Sequence, residues 1–210
     1  MPDDYFAKAA SHLGKSERTY AQLLDAALIV FARDGFEAAS INEITREAGV
    51  ANGTFYSHFK NKDEISAIAV GKVLEETAKA LATELDKIDD AAERVAAGTR
   101  FFARFASKHM HWGRAYVRAY WTFPKIRRRA QQFMRADIEH GVKQGRFNVK
   151  IDDFLIDATG SMAIAAIFPE PRSAKAEELG SMGAELQLRM LGVDLEEAHE
   201  IAWRPLDVAL

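Results

Sequence analysis

A chain of 210 residues with 48% hydrophobic and 28% charged side chains has room for one or two domains and a sizeable core. It has no cysteine, which excludes disulfides and thiolate metal sites, and no apolar run of the roughly 18 residues that a membrane-spanning helix needs. The net charge of −3 excludes a general coater of nucleic acid. The opening MPDDYFAKAASHLGK lacks the basic-then-apolar order of a secretion signal, so a cytoplasmic location is expected.

Helical periodicity dominates the whole chain and no alternating strand pattern appears, so the expected fold is all-α. Residues 1–15 read as an N-terminal tail whose first dozen residues are expected to be poorly ordered unless they reach DNA. The first helix is expected over 16–34, where Tyr20, Leu23, Leu24, Ala27, Leu28 and Phe31 form an apolar stripe. Ser16 is its expected N-cap and Gly35 its stop, with Phe36 folding back toward Phe31.

The stretch SINEITREAGVANGTFYSHFKNK, residues 40–62, carries the strongest functional signal. Ser40 with Glu43 three residues on is a capping box, in which each side chain satisfies a free backbone N–H. Ile41, Ile44 and Ala48 then share one face of a helix over 41–48, and Gly49 ends it at the corner filled by Val50. A second short helix over 52–58 points Phe55 and Phe59 inward. It leaves Asn52, Gly53, Thr54, Tyr56 and His58 as a mostly small and polar outer face. Asn61 caps the next helix, expected over 62–87, with Glu64 in the box position. Two short helices joined by a tight turn, the second with a polar face, form a helix-turn-helix that can dock in a DNA major groove. Residues 15–62 balance six cations (15, 18, 33, 46, 60, 62) against six acids (17, 25, 34, 37, 43, 47). Residues 51–62, however, carry Lys60 and Lys62 with no acid, so positive charge is local to the proposed DNA face.

Further helices are expected over 91–110, 113–121, 124–145, 152–168, 173–191 and 195–203. Residues 91–145 are rich in aromatics, with Phe101, Phe105 and His109 on one stripe and Trp112, Tyr116 and Tyr120 on another. Such stripes suit either a packed core or the wall of a small-molecule cavity. As a cavity, the candidate lining is Phe105, His109, Trp112, Tyr116, Tyr120 and Met162. The helices over 152–168 and 173–191 offer small residues such as Ala158 and a stripe of Leu179, Gly183, Leu186 and Met190. With Phe154 and Met162 these are the candidates for a two-fold interface between two copies, the alternative being burial within one chain.

An enzyme is the main rival class. His109 and His111 are the closest histidine pair, but side chains two apart on a helix diverge and cannot share a metal. No GxSxG, P-loop, GxGxxG or HExxH motif occurs, so no catalytic residue, metal or cofactor is expected. A second rival is a protein-interaction or small-molecule-binding module that uses the three-helix unit without specific DNA recognition. Arg127, Arg128 and Arg129 fan out around one helix and read as a solvated basic surface.

The segment GVANGTFYSHFKNKDEI resembles the recognition-helix signature of the TetR family of one-component transcriptional regulators: a small turn, a Gly, an aromatic pair, His-Phe and a Lys in order. The preceding LLDAALIVFARDGFEAASINEITREAGV is similar to the family's first helices, and HGVKQGRF and LRMLGV are similar to family segments further on. The resemblance implies a DNA-binding domain over 16–62 and an effector-binding and dimerisation domain over 63–210. It implies that Ser40 and Thr54 contact phosphate or base edges, and that Asn52 and Gly53 bring the backbone close to DNA. Tyr56 and His58 would bond phosphate or pack against sugar, and Lys60 and Lys62 would contact phosphate. The alternatives from the residues alone are a half-buried brace for Tyr56, a core histidine for His58 and a solvated charge for Lys60. The implied function is a repressor that binds a palindromic operator as a homodimer and is released by a small apolar or aromatic ligand.

Overall fold

The computed structural model describes residues 4–167 and 175–206. Those residues form eleven helices and no strand, so the chain is all-α as its periodicity requires. The helices are α1 (Tyr5–Ala9), α2 (Lys15–Asp34), α3 (Ile41–Glu47), α4 (Asn52–Tyr56), α5 (Lys62–Leu85) and α6 (Ala91–Lys108). They continue as α7 (Met110–Thr122), α8 (Pro124–Lys143), α9 (Asp153–Ile167), α10 (Ala176–Met190) and α11 (Leu195–Trp203). The expected segments 168 and 173–174 lie outside the described residues.

The chain divides into two compact units: residues 1–75 with 109–126, and residues 76–108 with 127–210. This division differs from the partition at 62/63, because α7 belongs with the N-terminal helices.

In the first unit α2 is the central element. Leu23, Leu24, Ala27, Val30 and Phe31 are fully buried along it, and α1, α3 and α7 pack around it. The N-terminal segment is not the unstructured tail that its composition suggested. Phe6 is buried, and the buried carboxylate of Asp25 on α2 accepts the backbone N–H of Phe6 (2.9 Å) and of Ala7 (2.8 Å). An acidic side chain from another helix thus satisfies donors that a short helix leaves free at its start. The N-cap of α2 is Gly14 rather than Ser16: Glu17 reaches back to accept the Gly14 N–H at 2.9 Å. Gly35 follows the last residue of α2, and Phe36 does fold onto Phe31, with ring centroids 4.7 Å apart. Arg118 of α7 donates to the Phe31 carbonyl at 2.9 Å, and Phe123 meets Phe36 edge-on at 4.9 Å. The last turn of α2 and the loop after it are therefore held by α7. That helix stops at Thr122 because Phe123, placed before Pro124, is extended (φ −112°, ψ 103°). Pro124 then opens α8, where its missing N–H costs nothing.

In the second unit α6 and α10 form the centre, with α9 and α11 against them. Ala92, Ala96, Ile138, Leu188, Ala198 and Ala202 belong to its core. A buried polar link runs through it: the Thr99 hydroxyl donates to Gln187 Oε1 at 2.6 Å, and Gln187 Nε2 donates to the Thr159 carbonyl at 2.8 Å. Gln187 is fully buried and both halves of its amide are used, so α6, α9 and α10 are held in register at little desolvation cost. Arg94 extends this unit to the end of α5 and to α8. It donates to the carbonyls of Leu85 and Ile88 and pairs with Asp137 at 3.0 Å.

Candidate nucleic-acid interface

The helix-turn-helix is set by local chemistry. At the start of α3 the Ser40 hydroxyl donates to Glu43 Oε2 (2.7 Å) and accepts from the Glu43 N–H (3.2 Å), while the Ser40 N–H donates to the same carboxylate (2.8 Å). These bonds from Ser40, hydroxyl first and backbone second, hold the Glu43 carboxyl below its ordinary range. Gly49 takes φ +67° at the turn, a left-handed conformation that a side chain would strain. The turn closes with the Val50 N–H donating to the Thr45 carbonyl at 3.0 Å. Helix α4 is shorter than the expected 52–58 and ends at Tyr56, but Phe55 and Phe59 are buried as their spacing required. Phe59 stacks on Tyr20 of α2 (centroids 5.0 Å), which fixes α4 against the three-helix core.

A side-chain chain not anticipated from sequence joins α3 to α4. The Thr45 hydroxyl donates to Asn52 Oδ1 and the Asn52 amide donates to Asn42 Oδ1, both at 2.5 Å. The available signal was three polar residues, Asn42 and Thr45 one turn apart and Asn52 at the start of the next helix, on elements a tight turn must bring together.

The candidate DNA-contacting residues divide by what the protein already asks of them. Tyr56 is 62% exposed and Lys60 and Gly53 are also exposed, while Thr54 is half-buried. A Cβ at Gly53 would meet nothing of the protein within 4 Å, so the protein itself does not require glycine there. Asn52 is exposed although its amide is engaged with α3. Ser40 is committed to the cap of α3. His58 is half-buried, its ring edge-on to Tyr20 at 5.9 Å. Lys62 departs most from expectation: its ammonium donates to the carbonyls of Glu37 (3.1 Å) and Ala39 (2.9 Å), bracing the loop before α3. At the start of α5 Asn61 accepts the Glu64 N–H at 2.9 Å, but Glu64 reaches back to the Lys60 N–H (2.6 Å) rather than to Asn61.

The effector candidates fall in both units. Trp112, Tyr116 and Tyr120 are buried on one face of α7, with Trp112 and Tyr116 stacked at 4.8 Å and 8°. His109 does not share a helix face with Phe105: α6 ends at Lys108, and His109 is the non-helical residue before α7, edge-on to Tyr5 at 6.2 Å. Phe105 is buried and Met162 half-buried, both in the second unit. Among the interface candidates Phe154 is 82% exposed and Leu186 50% exposed, while Ala158, Leu179 and Met190 are half-buried. Gly183 faces inward instead: a Cβ there would lie 2.9 Å from that of Ala166, so it serves the close approach of α10 to α9 inside the chain. Met182, 49% exposed beside it, was not singled out from sequence. No group of three or more His, Asp or Glu among the described residues is arranged to hold a metal ion.

Comparison with known proteins accounts for both halves of this arrangement. The model of "Bacterial regulatory proteins, tetR family" matches residues 23–67, and that of "Tetracyclin repressor-like, C-terminal domain" matches residues 90–204, more than half the chain. The chain belongs to the TetR family. The crystal structure of RolR in complex with resorcinol matches this TetR-family chain at 32% identity and a TM-score of 0.72, covering 93% of it and 98% of RolR. The fatty acid metabolism regulator protein of Bacillus subtilis is 46% identical over 46 residues, which is 22% of this chain and 24% of that protein. Curated relatives of this kind are therefore matched over about a quarter of their length. A γ-butyrolactone receptor structure shares the fold at 20% identity, with a TM-score of 0.69 over 91% of this chain and 97% of that one. This TetR-family chain is a transcriptional regulator, and no helix among its described residues is long and apolar enough to cross a membrane.

Proposed function

We propose that this regulator is a cytoplasmic repressor that binds a palindromic operator as a homodimer and leaves it when a small aromatic, hydroxyl-bearing compound binds. The observation that carries the reading is the near-complete match to RolR, which was crystallised with resorcinol. The exposed face of α4, held by the Ser40–Glu43 cap and the Asn42–Thr45–Asn52 chain, supports DNA docking. On it Gly53, Thr54, Tyr56 and Lys60 are the proposed contacts, with Asn52 at the edge. Ser40, His58 and Lys62 act by holding that face in place. Each α4 of a dimer would enter one major groove, the two about 34 Å apart. The proposed dimer surface is the outer side of α9 and α10, where Phe154, Met182 and Leu186 leave apolar area exposed. The effector belongs to the C-terminal region matched by the family model, with the buried rings of Trp112, Tyr116 and Tyr120 on α7 as its proposed aromatic wall and His109 just before them as a further candidate. It shifts the protein between DNA-competent and released states only by its difference in affinity for the two.

Selection of the purified protein against a random duplex library, then release by resorcinol, tests the reading. An enriched palindrome with half-sites one turn apart, lost from the protein on adding resorcinol, is the expected result. Failure to enrich any sequence with folded dimer, after denaturing and refolding to strip bound ligand, would overturn it.

A further inference from the structure

Three polar side chains form a directed chain at the outer face of the helix-turn-helix. Thr45 of α3 is 2% exposed, whereas Asn42 of α3 and Asn52 of α4 are exposed. The Thr45 hydroxyl has three oxygens within reach: the carbonyls of Ile41 (3.0 Å) and Asn42 (3.2 Å), and Asn52 Oδ1, the nearest at 2.5 Å. It has a single proton to give, and neither a carbonyl nor an amide oxygen can supply another. Given to Asn52, that proton fixes the Asn52 amide with its oxygen toward Thr45 and its nitrogen on Asn42 Oδ1. Both amide oxygens are then engaged within the chain, and what is left for a ligand is N–H, on Asn42 Nδ2 and on the second hydrogen of Asn52 Nδ2. Given instead to the Ile41 carbonyl, the same proton would leave Thr45 an acceptor, turn both amides over and put the Asn42 oxygen outward. The direction of one buried hydroxyl therefore decides whether this surface presents donors or an acceptor. The surface beside it is open: a Cβ at Gly53, next to Asn52, would meet nothing within 4 Å.

We propose that Thr45 is a positioning residue for base recognition, holding Asn52 and Asn42 in a donor-only orientation that selects guanine over adenine at one position of each operator half-site. The inference rests on the operator-binding reading given above and adds the base and the group that selects it. In the major groove guanine offers two acceptors, N7 and O6, whereas adenine offers one acceptor and one donor. An asparagine free to turn meets adenine with its oxygen and nitrogen together. An asparagine whose oxygen is engaged by a neighbour cannot, because the adenine amino group would then face another N–H.

The test compares full-length wild type, Thr45→Val and Asn42→Ala base by base in selection from a random duplex library. Valine keeps the shape of threonine and removes the hydroxyl; Asn42→Ala removes an exposed donor. The wild type should enrich a half-site with a position where guanine exceeds adenine, and Asn42→Ala should flatten that position and no other. Thr45→Val should lower the guanine-to-adenine ratio there about tenfold, because the amides can then turn, while the other positions keep their preferences. Thr45→Ser, which keeps the hydroxyl, should keep the ratio. A uniform loss of affinity in Thr45→Val with the ratio unchanged would reduce Thr45 to a structural role and overturn the proposal. An unaltered base profile in Asn42→Ala would overturn it too. Nuclear Overhauser contacts in the wild type supply a readout that stands even if Thr45→Val fails to fold. The Asn52 side-chain amide protons should give stronger contacts to the Asn42 side chain than to the Thr45 methyl; the reverse order would mean reversed amides and overturn the proposal. No enrichment by folded, ligand-stripped wild type would overturn the operator reading and this inference with it. An enriched palindrome without a guanine position controlled by Asn42 would overturn this inference alone.

Discussion

At the scale of single residues, the recognition surface separates side chains that face outward from side chains that hold the surface in place. Tyr56 projects from α4 with most of its area in solvent, touching Phe55 edge-on at 5.4 Å. Tyr56→Ala should therefore weaken operator binding about tenfold or more while leaving the thermal midpoint within a degree or two, as judged by fluorescence anisotropy and a melting curve. Lys60 and Lys62 separate in the same way. Lys60→Ala should lower the slope of log affinity against log salt by about one unit. Lys62→Ala should instead cost about 1 kcal/mol of stability, because the Glu37 and Ala39 carbonyls lose their donor. The Glu43 carboxyl supplies a pH signature. Its folded value is depressed below the ordinary 4.5, so the bonds to Ser40 are fully present above that pH and are lost as pH falls through the lower folded value. Ser40→Ala should remove this acid-sensitive part of the melting curve below the ordinary carboxylate value.

Elements of this protein are held by side chains that cap one helix from another. Helix α1 has only five residues, too few to persist alone, and it is fixed by the Asp25 carboxylate and the burial of Phe6. Asp25→Ala leaves two buried or half-buried N–H groups without their acceptor and should cost about 1–3 kcal/mol. Hydrogen exchange should show the amides of residues 5–9 losing protection before those of α2. Arg118 plays the mirror role at the C-terminal end of α2, where a cation meets the carbonyl of a helix's last turn. Through it α7, which carries the stacked Trp112 and Tyr116, is attached to the helix that precedes the DNA reader. In the second unit Gln187 links α6 and α9 to α10, and Gly183 removes the side chain that would keep α10 from α9.

For the whole molecule, the question is what covers the apolar side chains left on α9 and α10. Phe154, Met182 and Leu186 are each about half exposed or more. Single exposed apolar residues are ordinary, but a group on the two helices proposed for dimerisation is a surface to be covered. Leu186→Glu should convert the proposed dimer to monomer in sedimentation velocity without lowering helix content. A persistent dimer would move the interface away from α10. Helix α5 contributes its first part to one compact unit and its last part to the other, so it is one of the three places where the chain passes between them.

The sequence by itself determined every element whose cause is local. Capping boxes, the Gly49 stop and the 3.6-residue apolar stripes act within a few residues, so α2 to α11 fell within a few residues of their expected ends. It also carried the family, because the residues over 40–62 must keep one spacing to build a turn and a polar helix face. Only the tertiary structure decided what depends on distant partners. Asp25 ordering α1, Lys62 spending its charge on two carbonyls, and Gly183 facing Ala166 rather than outward are contacts between residues 17 or more apart. No periodicity within one helix encodes such partners. The assignment of α7 to the N-terminal unit has the same origin: Arg118 finds the Phe31 carbonyl across 87 residues of chain. That contact exists only once both helices are packed.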